Sequence, residues 1–249
     1  MSVLITIIES MTGSHKNMST KMNLADRMKR YESIYHEIYL QPRTPVIIRV
    51  DGKAFHTLTR SCKRPFDEDF GRAMDYTATA LLNEVQCSRF AYIQSDEISL
   101  LLIDYNKFDS CQWFDGNLQK IISVSASIAT AAFCEFWTED GFKKKVFFDS
   151  RAFSLSEREV VNYFIWRQQD ATRNSIQMTA QSLYSHKQLL NKNVDEQQEM
   201  IFQKGQNWND LSPYWKRGRV AIKDKVDKKI PIFSKKRKYI EKFMKIDEE

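Results

Sequence analysis

Val46-Ile47-Ile48-Arg49-Val50-Asp51-Gly52 is a run of mostly β-branched residues that ends in a turn signal. Valine and isoleucine favour strands and Asp-Gly favours a sharp turn, so the stretch predicts a strand that stops at Asp51. Apolar residues at helical spacing precede it over residues 23–39 and follow it over residues 67–85, where Asp67 is placed as the N-cap. The stretch therefore predicts a strand set between two helices.

A pair of short strands with a polar tip comes next. Residues 89–94 and 98–103 have strand composition, and Ser95-Asp96-Glu97 between them suits a tight hairpin. Residues 118–137 are largely apolar with many alanines and serines, which is typical of a helix that packs closely on a sheet. This segment predicts the second helix of the fold.

A last short strand is predicted over residues 145–148, broken by Asp149-Ser150-Arg151. The order β, α, β, β, α, β predicts an α+β fold of the ferredoxin-like type, with both helices on one face of an antiparallel sheet. The other face is expected to stay open for a ligand. Because the first strand lies beside the third or beside the hairpin, Asp51 and Asp96 are expected to approach each other.

The chain after residue 153 has a helical pattern. Ser156 and Glu159 have the spacing of a capping box, which predicts a helix over residues 156–174, and further helices are expected to run to Met200. The lysine-rich end from Lys223 on is expected to be loosely ordered.

Positive charge is concentrated at the end of the chain. The formal net charge is +6, and residues 216–249 alone hold 13 Lys and Arg against 6 Asp and Glu. Such a segment suits contact with the phosphates of a nucleic acid, although charged runs are also common on solvated surfaces. Composition leaves both interpretations open.

The cysteine pattern and hydropathy bear on the compartment. The four cysteines, Cys62, Cys87, Cys111 and Cys134, form no CxxC pair, which argues against a zinc site and fits a reducing compartment. No run of about 18 apolar residues is present, so no membrane association is expected. The N-terminal stretch makes a poor secretory signal, but it is rich in Ser and Thr and low in acid. We expect a cytoplasmic protein, with a mitochondrial location as the alternative.

Two carboxylates at neighbouring strand ends suit metal-assisted phosphoryl transfer. Magnesium prefers oxygen ligands, and a pair of ions can activate a hydroxyl and carry a triphosphate. Glu97 directly follows Asp96, and Gly52 after Asp51 lets the backbone approach a ligand closely. Lys63 and Arg64, with Lys53, supply cations for phosphates. The alternative is that Asp-Gly and Ser-Asp-Glu are ordinary turn residues.

Six ordered blocks then give the chain a family resemblance. They are Asp51-Gly52-Lys53-Ala54-Phe55-His56, Arg64-Pro65-Phe66-Asp67, Gln94-Ser95-Asp96-Glu97, Phe148-Asp149-Ser150-Arg151, Trp166-Arg167-Gln168-Gln169-Asp170 and Lys216-Arg217-Gly218. Together they resemble the tRNA-His guanylyltransferase family over about residues 24–222. The resemblance implies a fold like the palm of polymerases and an enzyme that extends the 5′ end of tRNA in the 3′-to-5′ direction.

The resemblance also implies roles for individual residues. It makes Asp51 and Asp96 side-chain ligands of two Mg²⁺ ions and Gly52 a ligand through its carbonyl, with Glu97 as a further catalytic carboxylate. The implied nucleotide-binding residues are Gly52, Lys53, Ala54, Phe55, His56, Arg64, Asp67 and Ser95. The implied tRNA-binding residues are Arg151, Arg167, Asp170, Arg173, Asn174, Lys216 and Arg217. Helix-surface ion pairs are the alternative for this last set.

One block departs from the family pattern. Where enzymes acting on tRNA-His read HINNLYN after WRQxD, this chain reads Thr172-Arg173-Asn174-Ser175-Ile176-Gln177-Met178. That is similar to the branch called Thg1-like proteins, which implies template-dependent repair of 5′-truncated tRNA with ATP and GTP as substrates, by a homotetramer. The alternatives are addition of G(−1) to tRNA-His, a non-catalytic tRNA-binding protein with the same fold, and a nucleotide cyclase.

The predicted organisation has four parts. Residues 1–23 form a flexible N-terminal segment, residues 24–154 a palm-like catalytic domain, residues 155–222 a helical tRNA-facing region of the same unit, and residues 223–249 a basic C-terminal tail.

Overall fold

The computed structural model describes residues 22–138, 146–223 and 225–245. Most of the predicted flexible segment, residues 1–21, and Lys145 of the predicted last strand lie outside the described residues. The chain divides into two compact units, one ending at Ile38 and the other beginning at Tyr39.

The first unit contains helix α1, Leu24–His36. Asn23 is its N-cap, and the Asn23 side chain accepts a hydrogen bond from the backbone N–H of Asp26 at 2.8 Å. The helix predicted over residues 23–39 is confirmed, but it ends at His36.

The second unit is built on a six-stranded sheet in the order β4-β1-β3-β2-β5-β6, and each pairing is antiparallel. The strands are β1 Val46–Gly52, β2 Ser88–Gln94, β3 Glu97–Leu102, β4 Phe148–Ser154, β5 Arg219–Ile222 and β6 Lys225–Asp227. The first strand lies beside the third, so the predicted α+β fold with βαββαβ order is confirmed.

Two details of the predicted sheet are wrong. Asp149, Ser150 and Arg151 lie inside β4, because this strand pairs with β1 along its whole length instead of ending at residue 148. Strands β5 and β6 were missed because segments this short carry too little periodicity to predict.

The helices of this unit connect and cover the sheet. They are α2 Phe55–Leu58, α3 Glu68–Glu84, α4 Leu118–Thr138, α5 Glu157–Leu183, α6 His186–Leu189, α7 Val194–Gln203, α8 Pro213–Arg217 and α9 Lys238–Glu241. Ser156 is the N-cap of α5, but its side chain makes no capping hydrogen bond, so the predicted capping box does not form.

One face of the sheet packs against α3 and α4. Alternate residues of β1, Val46, Ile48 and Val50, enter this core together with Met74 of α3 and Phe133 of α4. Helix α4 is long and apolar enough to cross a membrane by length and composition alone. In this fold Phe133 of α4 is fully buried in the core, as residues of a helix that packs on a sheet are.

The other face is covered, which corrects the expectation of an open face. Ile47 of β1 packs with Phe164 of α5 and with Ile230, Phe233 and Ile240 of the C-terminal segment, residues 228–245. Phe233 and Ile240 are 0% exposed. The expectation that the lysine-rich end is loosely ordered is therefore wrong for its described part, because apolar residues between the lysines anchor it.

Asp67 sets the start of α3. Its Oδ1 accepts from the N–H groups of Asp69 and Phe70, both at 3.0 Å, and its Oδ2 accepts from the N–H of Lys63 at 2.8 Å. Burial opposes ionisation of Asp67, but the backbone donors outweigh it and its pKa is lowered from 3.8. The charged carboxylate thus fixes both the helix and the preceding loop.

Replacing this cap gives a pH-dependent stability prediction. We expect Asp67→Ala to lower the free energy of unfolding by about 1 kcal/mol at pH 7. Because the folded-state pKa is lowered, the stabilisation is present above the unfolded value of 3.8 and is lost as pH falls through the folded pKa. Urea unfolding of both proteins at several pH values measures the difference.

Asp67→Asn is the matched control, since it keeps an acceptor at the N-cap without a titrating carboxylate. Its stability relative to wild type should improve as pH falls below 3.8. Parallel pH profiles for wild type and Asp67→Asn would contradict a role for the ionised carboxylate.

Candidate active site

The pairing of β1 with β3 brings Asp51 and Asp96 to the same end of the sheet. Asp51 lies opposite Glu97 in the antiparallel register, and the N–H of Gly52 donates to the backbone carbonyl of Asp96 at 3.1 Å. Asp96 occupies the turn between β2 and β3, where Ser95 adopts a φ of 45°. The two predicted carboxylates are therefore held together by backbone hydrogen bonding.

The electrostatics of this end of the sheet favour a bound cation. Burial, with the charge of Asp51, raises the pKa of Asp96 from 3.8 to about 6. Burial also raises the pKa of Asp51, and the charges of Glu97 and of Asp149 on the neighbouring strand add to this effect. Carboxylates that repel one another in a partly dry site gain stability from a divalent ion.

The oxygen atoms at this end of the sheet suit Mg²⁺ better than they suit a metal ion whose ligands all come from the protein. Within residues 22–138, 146–223 and 225–245, no group of three or more His, Cys, Asp and Glu side chains could hold a metal ion. Mg²⁺ is commonly bound by one or two carboxylates, with water and substrate phosphates completing its shell. Asp51, Asp96 and the carbonyl of Gly52 supply that kind of partial shell.

Gly52 is required by close packing. A Cβ built on Gly52 would lie 2.5 Å from Cγ of Phe55. Phe55 is 3% exposed and packs against Phe133 and Phe148, with ring centroids 5.3 and 5.0 Å away. Phe55 therefore supports the Asp-Gly turn from the core, and any larger residue at position 52 would displace it.

A cavity of about 350 Å³ opens beside Asp96. It is lined by the predicted residues Phe55, His56, Arg64, Asp67 and Ser95, and also by Thr59, Cys62, Lys63, Pro65, Phe70, Met178 and Gln181. The structure thus gathers four predicted polar residues, His56, Arg64, Asp67 and Ser95, and the further cation Lys63 beside Asp96. Lys53 and Ala54 line a different cavity, with Val146 and Phe147.

Two side chains of this cavity come from α5 and were missed in the sequence. Met178 ends the block of residues 172–178 that departs from the family pattern, and Gln181 lies beyond all the blocks, so neither was predicted as a site residue. Only the packing of α5 over the sheet brings them there.

The loop that carries Lys63 and Arg64 is held by an aromatic contact. Phe66 stacks on Trp215 of α8, with ring centroids 4.9 Å apart and an interplanar angle of 10°. Arg219, the first residue of β5, is buried and forms an ion pair with Asp75 of α3. The stacking of Phe66 on Trp215 therefore ties the loop at one wall of the cavity to α8.

Glu97 differs in environment from the two aspartates. Both of its carboxylate oxygens accept from Arg167, at 2.8 Å from Nε and 2.7 Å from Nη2. Arg167 also donates to Asp170 at 2.9 Å and is 6% exposed. The structure thus places Glu97 and Arg167 in a buried ion pair that ties β3 to α5, and Arg167 does not face solvent as a tRNA-binding residue would.

The other predicted tRNA-binding residues are spread over three places. Arg151 is exposed on β4 and donates to Asp149 at 3.3 Å, while Arg173 donates to Asp170 on the surface of α5. Asn174 also donates to Asp170, at 3.4 Å. Lys216 and Arg217 line a separate cavity at the end of α8.

The Glu97–Arg167 ion pair predicts a large loss of stability when one partner is removed. Arg167→Met leaves a buried carboxylate without its partner, and we expect a loss of about 3–5 kcal/mol in the free energy of unfolding. Urea unfolding measures it. The double variant Glu97→Gln/Arg167→Met should recover much of this loss, because position 97 then holds no carboxylate charge that needs Arg167 as its partner.

Arg173→Met is the control, since its side chain is 51% exposed and pairs with the same Asp170. We expect it to cost less than about 1 kcal/mol. Equal losses for Arg167→Met and Arg173→Met, or additive losses in the double variant, would contradict a buried, coupled pair.

Comparison with known proteins identifies the family. A family model described as tRNAHis guanylyltransferase matches residues 25–156. A solved bacterial tRNA(His) guanylyltransferase (Thg1)-like protein in complex with ATP is 48% identical with a TM-score of 0.87, and the match covers 89% of this chain and 99% of that one.

A second solved structure, a bacterial protein of the same description in complex with GTP, is 43% identical with a TM-score of 0.78, over 89% of this chain and 99% of that one. The probable tRNA(His) guanylyltransferase of Drosophila melanogaster is 26% identical over 80% of this chain and 74% of its own length. The carboxylate pair, the cavity beside it and these matches lead to one conclusion: the chain belongs to the tRNAHis guanylyltransferase family of nucleotidyltransferases.

Proposed function

We propose that the protein is a template-dependent 3′-to-5′ nucleotidyltransferase that restores the 5′ end of truncated tRNA. The observation that carries the proposal is the joining of Asp51 and Asp96 at one end of the sheet, beside a cavity with cationic walls. Two carboxylates in such a position suit the transfer of a nucleotidyl group from a triphosphate.

The proposed reaction has two steps. The 5′-monophosphate of the tRNA first attacks the α-phosphate of ATP or GTP and releases pyrophosphate, which leaves an activated 5′ end. The 3′-hydroxyl of an incoming nucleotide then attacks the activated phosphate and releases the nucleoside monophosphate. Pairing of the incoming base with the opposite strand selects the nucleotide.

The residues around the cavity have separate tasks. Two Mg²⁺ ions held by Asp51, Asp96 and the Gly52 carbonyl would lower the pKa of the attacking group and neutralise phosphate charge. Lys63 and Arg64 line the cavity with positive charge that suits a triphosphate.

Two observations support repair over addition of G(−1) to tRNA-His. Residues 172–178 depart from the HINNLYN pattern of enzymes that act on tRNA-His. The solved relatives described as guanylyltransferase-like are 48% and 43% identical, against 26% for the Drosophila relative described as a tRNA(His) guanylyltransferase. Their complexes with ATP and GTP support both nucleotides as substrates here. The homotetramer and the cytoplasmic location stay predictions.

Removal of either carboxylate tests the chemistry. We expect Asp51→Asn and Asp96→Asn each to lower the rate of 5′ extension by at least about a thousandfold, because ligands of the metal ions act as a unit. Extension of a 5′-truncated tRNA with labelled GTP and Mg²⁺ measures the rate, and circular dichroism checks the fold. Activity near wild type in either variant would refute the assignment.

The products separate repair from the alternative. We expect tRNAs that lack one 5′ nucleotide to be extended until the acceptor stem is fully paired, and sequencing of the 5′ ends after incubation shows where addition stops. Addition beyond the paired stem on tRNA-His alone would instead identify G(−1) addition. Turnover of labelled GTP without any tRNA would contradict both.

A further inference from the structure

A second cavity of about 490 Å³ lies where α5, the Trp208–Asp210 turn, the end of α8 and the C-terminal segment meet. Gln169 of α5, Trp208, Lys216 and Arg217 are among its lining residues. It shares no lining residue with the cavity beside Asp96. Its volume is in the range of small-molecule sites in proteins, which is about 300–1,000 Å³.

This cavity holds positive charge without a paired acid. None of the ion pairs among the described residues includes Lys216 or Arg217. No acidic side chain in the described part of the chain lines the cavity. Asp210, whose negative charge acts on Lys216, is not among the lining residues. Two neighbouring cations in one cavity attract an anion.

Lys216 keeps hydrogen-bond donors free at the cavity. Lys216 donates to the carbonyl of Asn209 at 2.5 Å, so its ammonium group is held at the cavity wall with further donors available.

An aromatic side chain lies next to these cations. The ammonium group of Lys216 is 5.6 Å from the ring centroid of Trp208, and the indole N–H of Trp208 donates to Ser175 at 3.0 Å, which fixes the ring. Gln169, exposed on α5, adds an amide. A fixed aromatic ring, an amide and two cations are the groups that recognise a nucleotide, with its base and its phosphate.

The surroundings favour a nucleotide that is part of a chain. Ser234 lines the cavity, and Lys235, Lys236, Arg237 and Lys238 follow it directly, all exposed. A free nucleotide bound inside the cavity would not use this outer row of charge, whereas the successive phosphates of an RNA strand would.

We infer that this cavity binds one nucleotide unit of the RNA, with its phosphate on Lys216 and Arg217 and its base beside Trp208, as a holding site separate from the catalytic cavity. Thr172 lines this cavity and Met178 lines the catalytic cavity. These two residues are about 9 Å apart along α5, given the rise per residue of a helix. The site rests on the proposed function in that RNA is the substrate. The site would hold the RNA while its 5′ end passes from the activation step to the nucleotide-addition step.

RNA binding without nucleotide or metal tests the site apart from catalysis. Fluorescence anisotropy of a labelled 5′-truncated tRNA is measured with wild type, Lys216→Gln, Arg217→Gln and the control Lys187→Gln, an exposed lysine of α6 that lines neither cavity. We expect Lys216→Gln and Arg217→Gln each to weaken binding about fivefold and to lower the salt slope by about one. Lys187→Gln should bind like wild type.

A second arm distinguishes RNA from a free nucleotide. Equilibrium binding of labelled GTP to the same proteins should be unchanged by Lys216→Gln and Arg217→Gln. If these two variants lose one bound GTP per chain and bind RNA as wild type does, the assignment to RNA is overturned. If they bind both ligands with unchanged affinity, the site is overturned. If wild type extends no tRNA but Lys216→Gln still weakens RNA binding, the proposed function fails and this site stands.

Discussion

The antiparallel pairing of β1 with β3 is the constraint on which the site depends. It sets Asp51 opposite Glu97 and lets the Gly52 N–H reach the carbonyl of Asp96. A slip of one residue in this register would turn every β1 side chain to the other face and move Asp51 away from the turn of the hairpin. Because both faces of the sheet are buried, such a slip is strongly disfavoured, and the fold fixes the spacing of the carboxylates.

Charge is distributed unevenly around this pairing. Glu97 is neutralised by Arg167, whereas the pKa values of Asp51 and Asp96 are both raised by burial and by neighbouring negative charge. The ion pair serves to hold α5 against the sheet, and α5 in turn supplies Met178 and Gln181 to the cavity. The repulsion that remains between the two aspartates is what a divalent cation would relieve.

The sequence predicted those parts of the fold whose signals are local. The β-branched run before Asp51-Gly52, the helical spacing after Asp67 and the hairpin around Ser95-Asp96 are each visible within a few residues, and all three elements form. The βαββαβ order of the predicted elements, with right-handed crossovers, then predicted an antiparallel sheet with both helices on one face. The order of blocks along the chain located the carboxylate pair correctly at neighbouring strand ends.

What escaped prediction depends on contacts between distant segments. Strands β5 and β6 are too short to show a period, and Ile230, Phe233 and Ile240 look like isolated apolar residues in a lysine-rich tail until they meet α5. The burial of Arg167 by Glu97 joins positions that no local pattern connects. Such pairings are visible only once the chain is folded, and for that reason Arg167, in a block that resembles the family, was interpreted as an RNA contact.

Metal binding tests the central claim most directly. Electron paramagnetic resonance with Mn²⁺ in place of Mg²⁺ counts the ions bound per chain in the presence of a non-hydrolysable triphosphate, for wild type, Asp51→Asn, Asp96→Asn and the neighbouring control Asp149→Asn. The account predicts two nucleotide-dependent ions in wild type and in Asp149→Asn, and their loss in the other two variants. Retention of both ions in Asp51→Asn or Asp96→Asn would contradict it.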